Sequence, residues 1–85
     1  MALVRVEFYG LARLQAGVAE LAVEATTVRT ALEAVQVFCP RLRVLRDTAV
    51  SPEFLVSVGG GRFVTDPDTP LSGGSLLILG ADAGG

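Results

Sequence analysis

The residues best suited to chemistry in this sequence are the two glycines with which it ends, Gly84 and Gly85. A terminal carboxylate without neighbouring β-carbons can pass through a narrow channel in a partner and meet the α-phosphate of ATP. The residues before it, Gly80 to Ala83, are small or polar, so we expect residues 81–85 to form a flexible tail. Two terminal glycines also arise by chance, and the pattern therefore gains weight only together with a fold that presents it.

Three other groups of residues suggest a chemical role, and each has a simpler interpretation. Cys39 stands alone, which excludes an internal disulfide, and it lies at the predicted end of a helix, where a small core residue is commoner than a persulfide carrier. Gly59 to Gly61 lack the following Gly-Lys-Ser/Thr and helix of a phosphate loop, and indicate a turn. Asp66 and Asp68 lack the ligand spacing of a calcium loop and also indicate a turn. We predict no metal site and no bound cofactor.

Composition limits the classes of function. The chain has 85 residues, 51% of them hydrophobic, which suits one domain with one core and no deeply enclosed active site. All seven basic residues are arginines scattered among nine acidic residues, which argues against nucleic-acid binding. Histidine is absent. We find neither a membrane-spanning segment nor a signal peptide, so we expect a cytoplasmic protein that does not bind membranes.

The first elements are two strands and a helix. Apolar residues alternate with polar ones from Val4 to Phe8 and again around Val23, which predicts two strands joined by a turn at residues 10–17. Thr27 is then a suitable N-cap, and Pro40 ends the following helix. The helix is predicted from an apolar stripe with spacings of three and four residues: Val28, Ala31, Leu32, Val35 and Phe38.

The second half of the chain predicts three more strands. After an irregular connection at residues 41–52, Phe54 to Val58 alternate as a third strand, and Arg62 to Thr65 form a short return strand beyond the glycine turn. Leu76 to Leu79 form a last strand after a turn at Gly73 and Gly74. This strand is apolar on both faces and is therefore expected at the centre of the sheet. The order of elements predicts one sheet with one helix lying across it.

A single helix cannot cover both faces of such a sheet. Leu55, Leu77 and Leu79 fall on the face opposite the helix, where neighbouring side chains alone would cover them. We expect them to form a docking surface for partner proteins. The helix-side residues of the same strands are Val56, Leu76 and Ile78.

Five segments of the chain together carry a resemblance to a known family: VRVEFYGLARLQAG at 4–17, the helix from Thr27, FLVSVGGGRFV at 54–64, PLSGGSLLIL at 70–79 and the terminal AGG. Through them the whole chain resembles the MoaD/ThiS family of sulfur carriers, and the MoaD branch (molybdopterin synthase small subunit) more closely. The resemblance implies a β-grasp (ubiquitin-like) domain of class α+β over residues 1–80, with a mixed sheet of four to five strands, one main helix and a tail at 81–85.

The resemblance also implies a function, that of a non-catalytic carrier. A MoeB/ThiF-like adenylyltransferase would use Mg-ATP to adenylate the Gly85 carboxylate, with Gly84 and Ala83 letting the tail thread. A sulfur donor such as a cysteine desulfurase or a rhodanese would then convert it to a thiocarboxylate. The acceptor would be an enzyme such as the large subunit of molybdopterin synthase.

The chain departs from the family pattern at Ser72 to Ser75, where Asp-Gly-Asp is usual, and at Gly80 to Ala83, where the approach is usually rich in proline. Three alternatives therefore stay open. The chain could carry sulfur for another metabolite, such as the thiazole of thiamine, cysteine or a secondary metabolite. It could instead be a ubiquitin-like protein modifier, although without lysine it cannot build chains on itself through lysine. It could also be a β-grasp interaction module that acts without covalent chemistry.

Overall fold

The computed structural model describes residues 2–47, 49–59 and 61–81. Within these ranges the chain forms a five-stranded sheet, two helices and a small separate hairpin. In chain order the elements are β1 Ala2–Tyr9, α1 Leu11–Ala16, β2 Glu20–Ala25, α2 Val28–Phe38, β3 Leu45–Arg46, β4 Ala49–Val50, β5 Phe54–Val58, β6 Arg62–Val64 and β7 Gly74–Gly80.

The sheet is mixed, and its last strand lies at its centre. The strands follow the order β2-β1-β7-β5-β6, with β1 and β7 parallel and the other neighbours antiparallel. Val4 is paired with Gly74 and Tyr9 with Leu79 at the two ends of the parallel ladder. The predicted central position of the last strand is confirmed, as is the β-grasp arrangement of a mixed sheet with one main helix.

Helix α2 has the limits that its sequence predicts. The Thr30 backbone N–H donates to Thr27 Oγ1 at 3.2 Å, and the Thr27 N–H donates to Thr30 Oγ1 at 3.0 Å. This reciprocal capping box satisfies amide groups that a helix start leaves unpaired. At the other end Cys39 is the C-cap, directly before Pro40, which cannot continue the helix.

The core lies between α2 and one face of the sheet. Cys39 is 3% exposed and belongs to this core, so its prediction as a core residue is confirmed. Burial raises the pKa of the Cys39 thiol above its usual value, which disfavours the reactive thiolate. Helix α2 contributes Val28, Ala31, Leu32 and Val35, and the strands contribute Val4, Val6, Phe8, Val23, Ala25, Phe54, Val56, Leu76 and Ile78.

One residue and two segments differ from the sequence-based expectation. Phe38, predicted as the last residue of the apolar stripe of α2, is 69% exposed. Residues 10–17, predicted as a turn, contain helix α1, which ends where Gly17 takes a left-handed conformation with φ of 80° and donates its N–H to the Arg13 carbonyl at 3.0 Å. The reason is that burial of Ala12 against the core gives this short segment a packed face. The connection at 41–52 contains the β3–β4 hairpin, with Asp47 at a φ of 58° between its strands.

Candidate functional site

The first part of the candidate site lies on the sheet face that points away from α2, which we call the open face. Leu79 of β7 has Tyr9 of β1 on one side and Leu55 of β5 on the other. Leu77, two residues earlier on the same strand, lies between Glu7 and Ser57. The structure therefore brings the three predicted docking residues, Leu55, Leu77 and Leu79, together on one face.

Two aromatic residues extend this apolar surface beyond the sequence-based prediction. Tyr9 and Phe63 are exposed, and Leu55 is 38% exposed. Phe63 is paired with Ser57, the residue that separates it from Leu77. The sequence analysis did not single out either aromatic, and the register of the sheet shows that they join the leucines. We call this surface the apolar patch: Tyr9, Leu55, Phe63, Leu77 and Leu79.

An acidic border lies beside the apolar patch. Glu7 of β1 is directly opposite Glu20 of β2, and the Tyr9 hydroxyl donates to Glu7 Oε1 at 2.6 Å. This hydrogen bond is the main cause that raises the pKa of Tyr9 above its ordinary value of 10.0, with desolvation and the charges of Glu7 and Glu20 adding to it. The two facing carboxylates give this side of the apolar patch a local negative charge.

The second part of the candidate site is the point where β7 ends. The Ala81 backbone N–H donates to the Glu53 carbonyl at 2.8 Å, which ties the end of β7 to the start of β5. Gly80 lies against α1, since a β-carbon built on it would stand 3.3 Å from the Leu11 Cβ. Three predicted site residues, Ala83, Gly84 and Gly85, follow this point and lie outside the described residues. We call Gly80 and Ala81, where β7 ends, the root of the tail. The apolar patch adjoins this root, because Leu79 directly precedes Gly80.

The two acidic residues of the late loop make local contacts. The Asp68 N–H donates to Asp66 Oδ1 at 2.9 Å, and Asp68 Oδ1 pairs with the Arg29 guanidinium at 3.0 Å. This confirms the prediction that Asp66 and Asp68 form a turn. Over residues 2–47, 49–59 and 61–81, no three cysteine, aspartate or glutamate side chains are grouped as a metal site. No helix in the described ranges has the length and apolar character needed to cross a membrane.

Sequence comparison gives no relative, since no protein-family model and no curated protein match the chain. Several solved structures do match. Small archaeal modifier protein 1 of Haloferax volcanii is 21% identical, with a TM-score of 0.83 over 99% of this chain and 100% of that one. A putative molybdopterin converting factor, subunit 1, of Pyrococcus furiosus is 22% identical, with a TM-score of 0.73 over 94% and 98%.

A third match is small archaeal modifier protein 1 of Methanosarcina acetivorans, 20% identical with a TM-score of 0.73 over 100% of this chain and 98% of that one. Identities this low show the fold, which is ubiquitin-like in all these proteins. The predicted resemblance to MoaD is thereby confirmed in structure.

Proposed function

We propose that this protein is a ubiquitin-like sulfur carrier whose working group is the Gly85 carboxylate. The observation that carries the proposal is the course of the chain at its end. The central strand of a β-grasp sheet, held by neighbours on both sides, leads within five residues of Gly80 to a Gly-Gly terminus. The folded domain thus ends five residues before the group on which the proposed partner enzyme would act.

The proposed chemistry has two steps. A Gly85 carboxylate oxygen attacks the α-phosphate of Mg-ATP in the active site of an adenylyltransferase, forming an acyl-adenylate and releasing pyrophosphate. Hydrosulfide then attacks the carbonyl carbon, AMP leaves, and a thiocarboxylate remains. When a persulfide of a cysteine desulfurase or rhodanese is the donor, a thiol must also cleave the sulfur–sulfur bond, leaving a disulfide. Gly84 and Gly85 keep the cross-section of the proposed tail small, because neither residue has a β-carbon.

The apolar patch is the proposed docking surface for a MoeB/ThiF-like adenylyltransferase and afterwards for the acceptor enzyme. Leu79 lies two residues before Ala81, and Leu55 is paired with it, so a partner seated on these residues is close to the point where the described chain ends. Apolar contacts of this kind are typical of the centre of an interface. Resemblance to a putative molybdopterin converting factor subunit favours molybdopterin synthase, through its large subunit, as the acceptor. The proposed location is the cytoplasm.

A second candidate function is that of a protein modifier. It is favoured by the similarity to two proteins named small archaeal modifier protein 1. Activation would be the same, but a lysine amine of a target would displace AMP and form an amide. The chain contains no lysine, so its own side chains offer no amine for chain building.

Intact-protein mass spectrometry tests the proposal. The chain, tagged at its N-terminus, is incubated with Mg-ATP, a MoaD/ThiS-type adenylyltransferase and sulfide. We expect a mass increase equal to the exchange of one oxygen for one sulfur. Deletion of Gly85, or addition of one alanine after it, should abolish the increase without unfolding the protein.

Two outcomes would redirect the assignment. A folded wild-type chain that stays unmodified with several such enzymes would contradict the carrier proposal. Covalent adducts with extract proteins, formed only when ATP is present and only with Gly85 intact, would instead favour the modifier.

A further inference from the structure

Helix α1 has its large and small residues on unexpected sides. Ala12 is fully buried and Ala16 packs against the core, whereas Leu11 is exposed and Leu14 is 80% exposed. A helix that only packs onto a core normally turns its leucines inward. Both outer leucines, Leu11 and Leu14, therefore present apolar area to the outside of the described structure.

The outer leucines belong to a helix that lies beside the end of β7, at Gly80. Since β1 and β7 are parallel, the helix that directly follows β1 lies at the same end of the sheet as the C-terminal end of β7. Gly80 is so close to α1 that an added β-carbon would lie 3.3 Å from Leu11 Cβ. Tyr9, paired with Leu79, joins this helix to the apolar patch.

The length of the tail limits the distance between Ala81 and the active site of a partner enzyme that binds Gly85. Four residues follow Ala81, and a fully extended segment of that length spans at most about 14 Å. An enzyme that holds the Gly85 carboxylate in its active site must bring the mouth of its channel within that distance of Ala81. Its surface around the mouth then falls on α1.

The tail itself is poorly suited to cover α1. Its last four residues are Asp82, Ala83, Gly84 and Gly85, which include no large apolar side chain. Burial of Leu14 against them would remove little apolar area from water. An enzyme surface at the channel mouth can offer larger apolar side chains.

We propose that Leu11 and Leu14 form the contact that the activating adenylyltransferase makes around the mouth of its tail channel. This inference rests on the proposed function and adds a specific surface to it. The apolar patch positions the domain on the enzyme, and the outer leucines of α1 seal the entry, holding the tail in register with the active site.

The test is a steady-state comparison of two matched variants. Leu14→Gln keeps a good helix former at an exposed position. The control, Val37→Gln, makes a comparable change in α2 at a residue that is 78% exposed and far in sequence from Gly80, where β7 ends. Both are assayed for thiocarboxylate formation with the adenylyltransferase that modifies the wild-type chain. We expect Leu14→Gln to raise KM for the carrier about tenfold with a smaller change in kcat, and Val37→Gln to match the wild type.

The possible results separate the two proposals. A wild type that no adenylyltransferase modifies would end the proposed function and this inference together. A modified wild type with unchanged KM in Leu14→Gln would overturn only the inference. If sedimentation shows that Leu14→Gln disrupts a wild-type dimer without changing KM, the surface binds a second copy of the chain and the inference is also wrong.

Discussion

The two faces of β7 carry the same kind of apolar side chain, but α2 covers only one of them. Leu76 and Ile78 are fully buried under α2, whereas Leu77 and Leu79 on the open face are only half-buried by their neighbours in the sheet. On the helix side, apolar area is used to close the core. On the open face the same area stays available to a partner, and this is the face beside the root of the tail.

The difference teaches how a small domain with one main helix keeps apolar surface exposed on its sheet. A run of apolar residues on a central strand is usually interpreted as burial on both faces. In a sheet with one main helix, only one of those faces gains a layer, so the second is apolar by sequence and exposed by architecture. Such a strand contributes to the core with one face and leaves apolar surface exposed on the other.

The largest effect should come from the covered face. Ile78→Ala removes buried methyl and methylene groups and leaves a cavity, which should lower the free energy of unfolding by about 2–5 kcal/mol. Leu77→Ala on the same strand should cost about 1 kcal/mol, because much of that side chain is already in water, while weakening binding to the adenylyltransferase. Urea denaturation and a binding titration measure the two effects. Equal loss of stability in both variants would contradict the distinction between the faces.

A smaller effect is expected where the covering helix begins. Thr27→Ala removes the side chain that accepts from the Thr30 N–H and should lower the free energy of unfolding by about 1 kcal/mol. Thr65→Ala, in the exposed loop after β6, serves as the control and should change stability little. A Thr27→Ala variant as stable as the control would show that the capping box of α2 does not contribute to the free energy of unfolding.

The smallest effect concerns the open face and is seen in a titration. Tyr9 is the only tyrosine and tryptophan is absent, so ultraviolet absorbance follows its ionisation directly. The hydrogen bond to Glu7 and nearby negative charge favour the neutral phenol, so the midpoint should lie above 10.0 in the folded protein and fall in Glu7→Gln. The resulting stabilisation is present below the unfolded pKa and is lost as pH rises through the higher folded pKa. An unchanged midpoint in Glu7→Gln would show that the pair does not form in solution.

Local signals made α2 and the strands predictable. Helix α2 has a regular apolar stripe, Thr27 as a cap and Pro40 as a stop, so its limits follow from the sequence. Helix α1 has six residues between two glycines, too few for a periodic pattern, and its outer leucines contradict the pattern that a packed helix would show. The two-residue strands of the β3–β4 hairpin are too short to alternate.

The candidate site was predictable where it depends on alternation within one strand. Leu77 and Leu79 follow from the pattern of β7, and Leu55 from that of β5. The parallel pairing of β1 with β7 joins residues about 70 positions apart, and no local signal gives its register, so the place of Tyr9 in the apolar patch emerged only from the structure. The role of Gly85, which lies outside the described residues, stays a prediction.

The parallel pairing of β1 and β7 has a mechanical consequence. A partner that pulls on the tail applies force at Gly80, at the opposite end of the ladder from the start of β1. Force between these two points slides the strands past each other and loads the hydrogen bonds from Val4–Gly74 to Tyr9–Leu79 together, instead of opening them one at a time. Resistance to force depends on the barrier to unfolding. Under the proposed function, the segment that partners bind is therefore attached at a point where pulling loads a whole ladder of hydrogen bonds at once.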